Sequence, residues 1–189
     1  FVYGGGECLC RSILENAQGQ RFIGEDNYGE YVGDMIVRDH KVAYLIVDDT
    51  TWSMIPEASK ENLSIVAQAE TMSELAEGVG IEPGVLENTV ELYNGFAADG
   101  EDPLFKKDSA FVVPLEKPPF YALFFGVEAT AFFTTGGLRI DSRGRVLDVS
   151  GEAVPGLYAS GRNAFAVPAR SYVASGVAVA EVITFGRAA

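Results

Sequence analysis

The chain has 189 residues, 48% hydrophobic and 22% charged, which is enough apolar content for a packed core and argues against disorder. Its formal net charge of −13 argues against partners held through anionic phosphate, DNA, RNA and acidic lipid alike. The one histidine, His40, and two cysteines, Cys8 and Cys10, rule out a zinc site of four Cys and His ligands built by this chain alone.

Cys8 and Cys10 are two apart, a spacing that suits a mutual disulfide poorly. Two free thiols in a reducing cytoplasm are the simpler reading. The chain opens on Phe1 without an initiator methionine, so it is expected to be a piece of a longer protein. No signal peptide is visible. The longest weakly polar stretch, 120–135, is too short and too broken by Gly126 and Glu128 to span a bilayer.

Turn residues at 16–19 precede a short extended piece, Arg21-Phe22-Ile23, and 28–37 allows one or two helical turns. Val42-Ala43-Tyr44-Leu45-Ile46-Val47 is a β-branched apolar run closed by Asp48-Asp49, the pattern of a buried strand. Residues 56–62 read as a linker or short helix, and 64–69 as a weaker strand. Thr71 with Glu74 forms a capping-box signature, and Gly78 and Gly80 are expected to end that helix. Pro83 starts the next helix, with Val85, Leu86, Val90, Tyr93 and Phe96 roughly on one face, and Gly95 with the run Asp99-Gly100-Glu101-Asp102-Pro103 is expected to end it. Prolines 114, 118 and 119 punctuate an extended segment before a strand at 120–125.

Beyond Thr134, a strand at 136–141 is expected to turn at Ser142-Arg143-Gly144 into a return strand at 145–148. The tail, 176–187, reads as a buried helix.

Few residues offer chemistry by themselves. Gly78-Val79-Gly80-Ile81-Glu82-Pro83-Gly84 has two glycines of a dinucleotide fingerprint. The third comes one residue late, however, and a helix precedes it, so a helix C-cap is the better reading. His40, between Asp39 and Lys41, reads as a solvated turn. The acidic pairs Glu25-Asp26 and Glu101-Asp102 read as solvated surface.

The C-terminal third carries an ordered set of motifs. It runs Pro155-Gly156-Leu157-Tyr158-Ala159-Ser160-Gly161-Arg162, then Ser171-Tyr172-Val173-Ala174-Ser175-Gly176, then Thr184-Phe185-Gly186-Arg187. Upstream, in order, stand Gln20-Arg21-Phe22-Ile23-Gly24-Glu25, Ala43-Tyr44-Leu45-Ile46-Val47-Asp48, Pro119-Phe120-Tyr121-Ala122 and Thr134-Thr135-Gly136-Gly137-Leu138-Arg139-Ile140-Asp141. Together they resemble the fumarate reductase and succinate dehydrogenase flavoprotein superfamily over nearly the whole chain.

The resemblance implies an α+β arrangement: a capping, substrate-binding domain at 1–130 and the C-terminal strand–helix lobe of an FAD-binding domain at 131–189. The N-terminal lobe that grips ADP would be another part of the same polypeptide. It implies FAD as cofactor and a small-molecule substrate. The start of the last helix would offer the N–H groups of Gly176, Val177, Ala178 and Val179 to the flavin, with Gly136, Gly137 and Gly161 letting backbone approach the ring and Arg162 nearby.

Within the superfamily, the spacing from Gly161 through Ser171-Tyr172 to Gly176 is similar to that of 3-ketosteroid Δ1-dehydrogenases. That likeness implies that Tyr172 hydroxyl and Gly176 N–H bind a ketone oxygen, an oxyanion-hole task. It implies a proton-accepting tyrosine at Tyr28, or at Tyr31. Tyrosine, with an ordinary pKa of ~10, is a weak base unless its anion is stabilised. Fumarate reductases of the superfamily use a histidine and arginines to hold a dicarboxylate. Here Phe132 and Trp52 take two of those places and Tyr172-Val173 the third, with Arg170 out of register, so simple fumarate chemistry is disfavoured.

Overall fold

The computed structural model describes residues 6–126, 136–165 and 176–189. Helices and strands both contribute, in two units, Phe1–Glu128 and Ala129–Ala189.

The first unit opens with a 3-10 helix over Gly6–Arg11, so Cys8 and Cys10 lie on a helical turn; Cys10 is a free, buried thiol. Strand β1 (Ile13–Asn16) follows. Helix α1 (Gly29–Met35) continues as a π turn over Ile36–His40, which ends at Lys41 with φ +65°. His40 corrects the solvated-turn expectation: its ring lies 4.0 Å from that of Phe22.

The apolar run at 42–47 is strand β2 (Val42–Val47). Helix α2 (Asp49–Met54) is capped by Asp48, whose carboxylate accepts from Thr51 N–H at 2.9 Å. A single turn, α3 (Glu57–Lys60), leads to β3 (Ile65–Ala69). Helix α4 (Met72–Val79) has the expected cap, Thr71 Oγ accepting from Glu74 N–H at 3.2 Å, and closes on Gly80 in the left-handed region at φ +75°. Helix α5 (Pro83–Ala97) starts on its proline. Gly78 and Gly95 lie inside these helices, because one glycine weakens a helix without supplying the left-handed turn that stops it, and α5 ends just before the Asp99-Gly100 run, with Gly100 at φ +72°.

Strand β4 (Phe120–Gly126) completes an antiparallel sheet of order β1-β2-β4-β3. Both faces of this sheet are covered. One packs Ile13, Ile46, Phe120 and Ala122 against Leu75, Leu86, Val90 and Tyr93 of α4 and α5. The other packs Leu14, Leu45, Val47 and Leu123 against Leu9, Ile23, Val32 and Ile36. Burial on two sides is why β2 is apolar without alternation. The loop from 98 to 119 is pinned to α5 by Asn94, whose amide donates to Leu115 C=O at 2.9 Å and accepts from Leu115 N–H at 2.8 Å.

The second unit holds β5 (Leu138–Arg139), β6 (Arg145–Leu147), β7 (Ala153–Tyr158), a 3-10 turn at Gly161–Asn163, β8 (Ala164–Phe165) and α6 (Val177–Ala188). The expected hairpin is reduced to one bridge, Ile140 with Val146. β5 pairs instead with β8 in parallel, and β6 with β7. Helix α6 was expected to be buried. Within its own unit it is not: Val179, Val182 and Ile183 are 61%, 49% and 57% exposed, because the 3-10 turn is the main element packed against it among the described residues.

Candidate functional site

The second unit contains a cleft of about 710 Å³. Gly136, Gly137, Tyr158, Ser160, Arg162 and Asn163 line it, together with Ala189 beyond the last turn of α6. Two of the glycines expected at a cofactor, Gly136 and Gly137, line it, and Gly161 does not. A Cβ on Gly136 would enter open space. One on Gly137 would lie 2.8 Å from the backbone of Asn163 and Ala164, so this glycine permits the parallel β5–β8 contact. Gly161, at φ +58°, would drive a Cβ into Val182 of α6, so it permits the turn-to-helix contact.

Gly176 is the N-cap of α6 at φ +94°, and Val177, Ala178 and Val179 form its first turn. None of these four lines the cleft; the opposite end of the helix does. Ala178 also has an interaction partner of its own. Tyr172, Phe132 and Arg170 lie outside the described residues.

The remaining candidates belong to the first unit. Tyr28 is half-buried at the N-terminus of α1, where its carbonyl accepts from Tyr31 N–H at 2.9 Å and Val32 N–H at 3.1 Å. Tyr31 is 40% exposed. The Trp52 ring stacks on Tyr121 with centroids 4.7 Å apart, and the Lys60 ammonium lies 5.0 Å from the Trp52 centroid. A cation therefore sits over the Trp52 ring.

The largest polar feature was not legible in the sequence. Glu25 and Asp102, expected on the surface, are 2% and 4% exposed. Arg21 holds both. Its Nε and Nη2 donate to Glu25 at 3.0 and 2.8 Å, and Nη2 also donates to Asp102 at 2.8 Å. Lys107 Nζ, also buried, stands 3.2 Å from Glu25 and donates to Ser12 C=O at 2.6 Å. Carboxylates can be buried here because each is paired and hydrogen-bonded. Burial opposes the charge of Asp102, yet Arg21 and the N–H groups of Phe105 and Leu104 outweigh it and hold the carboxyl below its ordinary range. Burial pushes the Tyr93 hydroxyl up to about 12, with Glu25 adding to the shift. The four-residue spacing of Arg21 and Glu25 was a visible signal; the partnership with Asp102 was not.

Comparison with known proteins decides the family. The family described as FAD binding domain matches residues 7–178. The chain belongs to the FAD binding domain family. This FAD-domain chain is 33% identical over 94% of its length to an NADH:acrylate oxidoreductase from Vibrio harveyi, covering 18% of that protein. It is 31% identical over 95% of its length to a urocanate reductase from Eggerthella lenta, covering 30% of it. Among solved structures, it is similar to a 3-ketosteroid-delta4-(5alpha)-dehydrogenase from Rhodococcus jostii RHA1, with 36% identity, TM-score 0.80, 97% of this chain and 38% of the other. A 3-ketosteroid delta1-dehydrogenase from Sterolibacterium denitrificans gives 28% identity, TM-score 0.78, 94% of this chain and 37% of the other. The chain thus spans 18% to 38% of these relatives.

In the cleft Gly136 leaves open space, and Ser160, Asn163 and Arg162 carry hydrogen-bond donors, so these residues could hold a flat ring with a polar edge.

Proposed function

We propose that this chain is part of an FAD-dependent oxidoreductase that removes hydrogen from, or adds it to, a carbon–carbon bond beside a carbonyl, with a ketosteroid-like ketone as substrate. The observation that carries the reading is the likeness to the Rhodococcus enzyme, 36% identical over 97% of this chain. In this reading residues 1–130 cap the substrate, 131–189 contribute the C-terminal lobe of the FAD domain, and the remainder of the FAD domain is a further part of the same cytoplasmic polypeptide.

Gly136, Gly137, Gly161 and Arg162 hold the cofactor, with Gly176, Val177, Ala178 and Val179 at the helix start beside it. FAD, when bound, supplies the acceptor for the hydride lost from the carbon β to the carbonyl. Tyr172 hydroxyl and Gly176 N–H bind the ketone oxygen as it gains charge, which acidifies the α C–H. Tyr28 accepts that α proton, and a C=C bond replaces the two lost C–H bonds. Tyr28 must be held as its anion to do so.

A second reading, reduction of a small unsaturated acid, is favoured by the acrylate and urocanate reductase relatives and by the Lys60 ammonium over Trp52.

The test is stopped-flow of the complete polypeptide under anaerobic conditions. A saturated 3-ketosteroid should bleach the oxidised flavin. Failure to bleach, with reoxidation of the reduced flavin by urocanate or fumarate, would transfer the assignment to the second reading.

A further inference from the structure

Glu15 is fully buried on β1, paired in register with Tyr44 of β2 and, by an isolated antiparallel bridge, with Arg21. Neither of its carboxyl oxygens has a hydrogen-bond partner. Among the described residues, Ser12 Oγ is the only other buried side-chain oxygen or nitrogen in that condition.

The charges around it are already balanced. Arg21 and Lys107 face Glu25 and Asp102, two cations against two anions. Arg21 Nε and Nη2 are committed to those carboxylates. Lys107 Nζ is committed to Ser12 C=O, Glu25 and the Tyr93 hydroxyl. Tyr44, opposite Glu15 on β2, and Tyr93, beside Lys107, are phenols and carry no positive charge. An ionised Glu15 would add a fifth charge, with no hydrogen-bond partner, to a buried site, an expensive state for a carboxylate.

We propose that Glu15 is a pH-sensitive latch, seated in the first unit as a neutral carboxylic acid and unseated by its own ionisation. Burial raises its pKa well above the ordinary carboxylate value; Arg21 opposes the shift and Glu25 reinforces it. A raised folded-state pKa stabilises fully below the unfolded-state value, and the benefit is lost as pH rises toward the folded-state value. Between the two, the folded state holds one more proton than the unfolded state. The unfolding equilibrium constant therefore climbs about tenfold per pH unit through this residue. Alkalinity loosens the edge of the sheet where β1 meets β2, while the Arg21 cluster keeps its charges.

The test compares the complete polypeptide with its Glu15→Gln and Glu15→Val variants, neither of which ionises at that position. Urea unfolding at rising pH should show the gap between wild type and each variant shifting in the variant's favour, by about tenfold per pH unit until the folded-state pKa is passed. Infrared spectra at pH 7 should contain the C=O stretch of a protonated carboxylic acid that both variants lack. Parallel pH profiles, or a wild-type spectrum without that band, would overturn the proposal. The infrared reading of the wild type stands even if one variant fails to fold.

Discussion

Arg21 and Asp102 lie 81 positions apart and share a 2.8 Å ion pair whose side chains are 4% and 0% exposed. The pair ties the loop after α5 to the segment after β1, and Asp102 reinforces it by accepting the N–H groups of Leu104 and Phe105, both at 3.2 Å. The Arg21 guanidinium also stacks over Tyr93 and Phe105, 4.8 and 4.9 Å from their centroids. One cation thus organises two carboxylates and two rings.

Arg21→Met should therefore be severe. It leaves Glu25 and Asp102 buried with one cation fewer, a loss that typically costs about 3–5 kcal/mol. Urea denaturation at neutral pH measures it. A cost below about 1 kcal/mol would mean the pair behaves like an exposed surface bridge.

Acid should weaken the same tie. The folded-state pKa of Asp102 is depressed, so its contribution is present above the ordinary value of 3.8 and lost as pH falls through the lower, folded-state one. Asp102→Asn should be less stable than wild type at neutral pH and converge on it under acid. Denaturant midpoints collected down the acid limb give the answer, and a constant difference would contradict it.

Two glycines of the second unit separate folding from binding. Gly161→Ala places a methyl group against Val182 at a left-handed backbone position, so it should lower the thermal midpoint. Gly136→Ala meets nothing within 4 Å and should leave the midpoint unchanged. If the cleft receives the flavin ring, Gly136→Ala should instead weaken FAD affinity in the complete polypeptide, measured by fluorescence titration. Unchanged affinity would place the flavin elsewhere.

Tyr172→Phe tests the proposed oxyanion contact. Loss of one such donor costs ~10²–10³ in turnover. Phenylalanine keeps the ring, so the flavin spectrum should persist while its rate of reduction by a saturated ketone falls. A mutant reduced at the wild-type rate would make Tyr172 a packing residue.

The sequence by itself determined the local elements whose signals are short-range. The apolar run of β2, the Thr71 cap, the Pro83 start and the Gly80 stop each depend on residues within one turn of the chain. The ordered motifs were also enough to point to a flavoprotein family, because order along the chain survives without coordinates. Tertiary structure alone decided where long-range partners meet. Glu25-Asp26 and Glu101-Asp102 look alike in sequence as acidic, solvated pairs. Glu25 and Asp102 are buried only because folding brings Arg21 to both. The partner of β5 was likewise hidden: a turn sequence proposes a hairpin, but Gly137 and its close approach to Asn163 and Ala164 select the parallel pairing. Pairing energy depends on which groups lose water together, and the fold, not the spacing of residues along the chain, sets that.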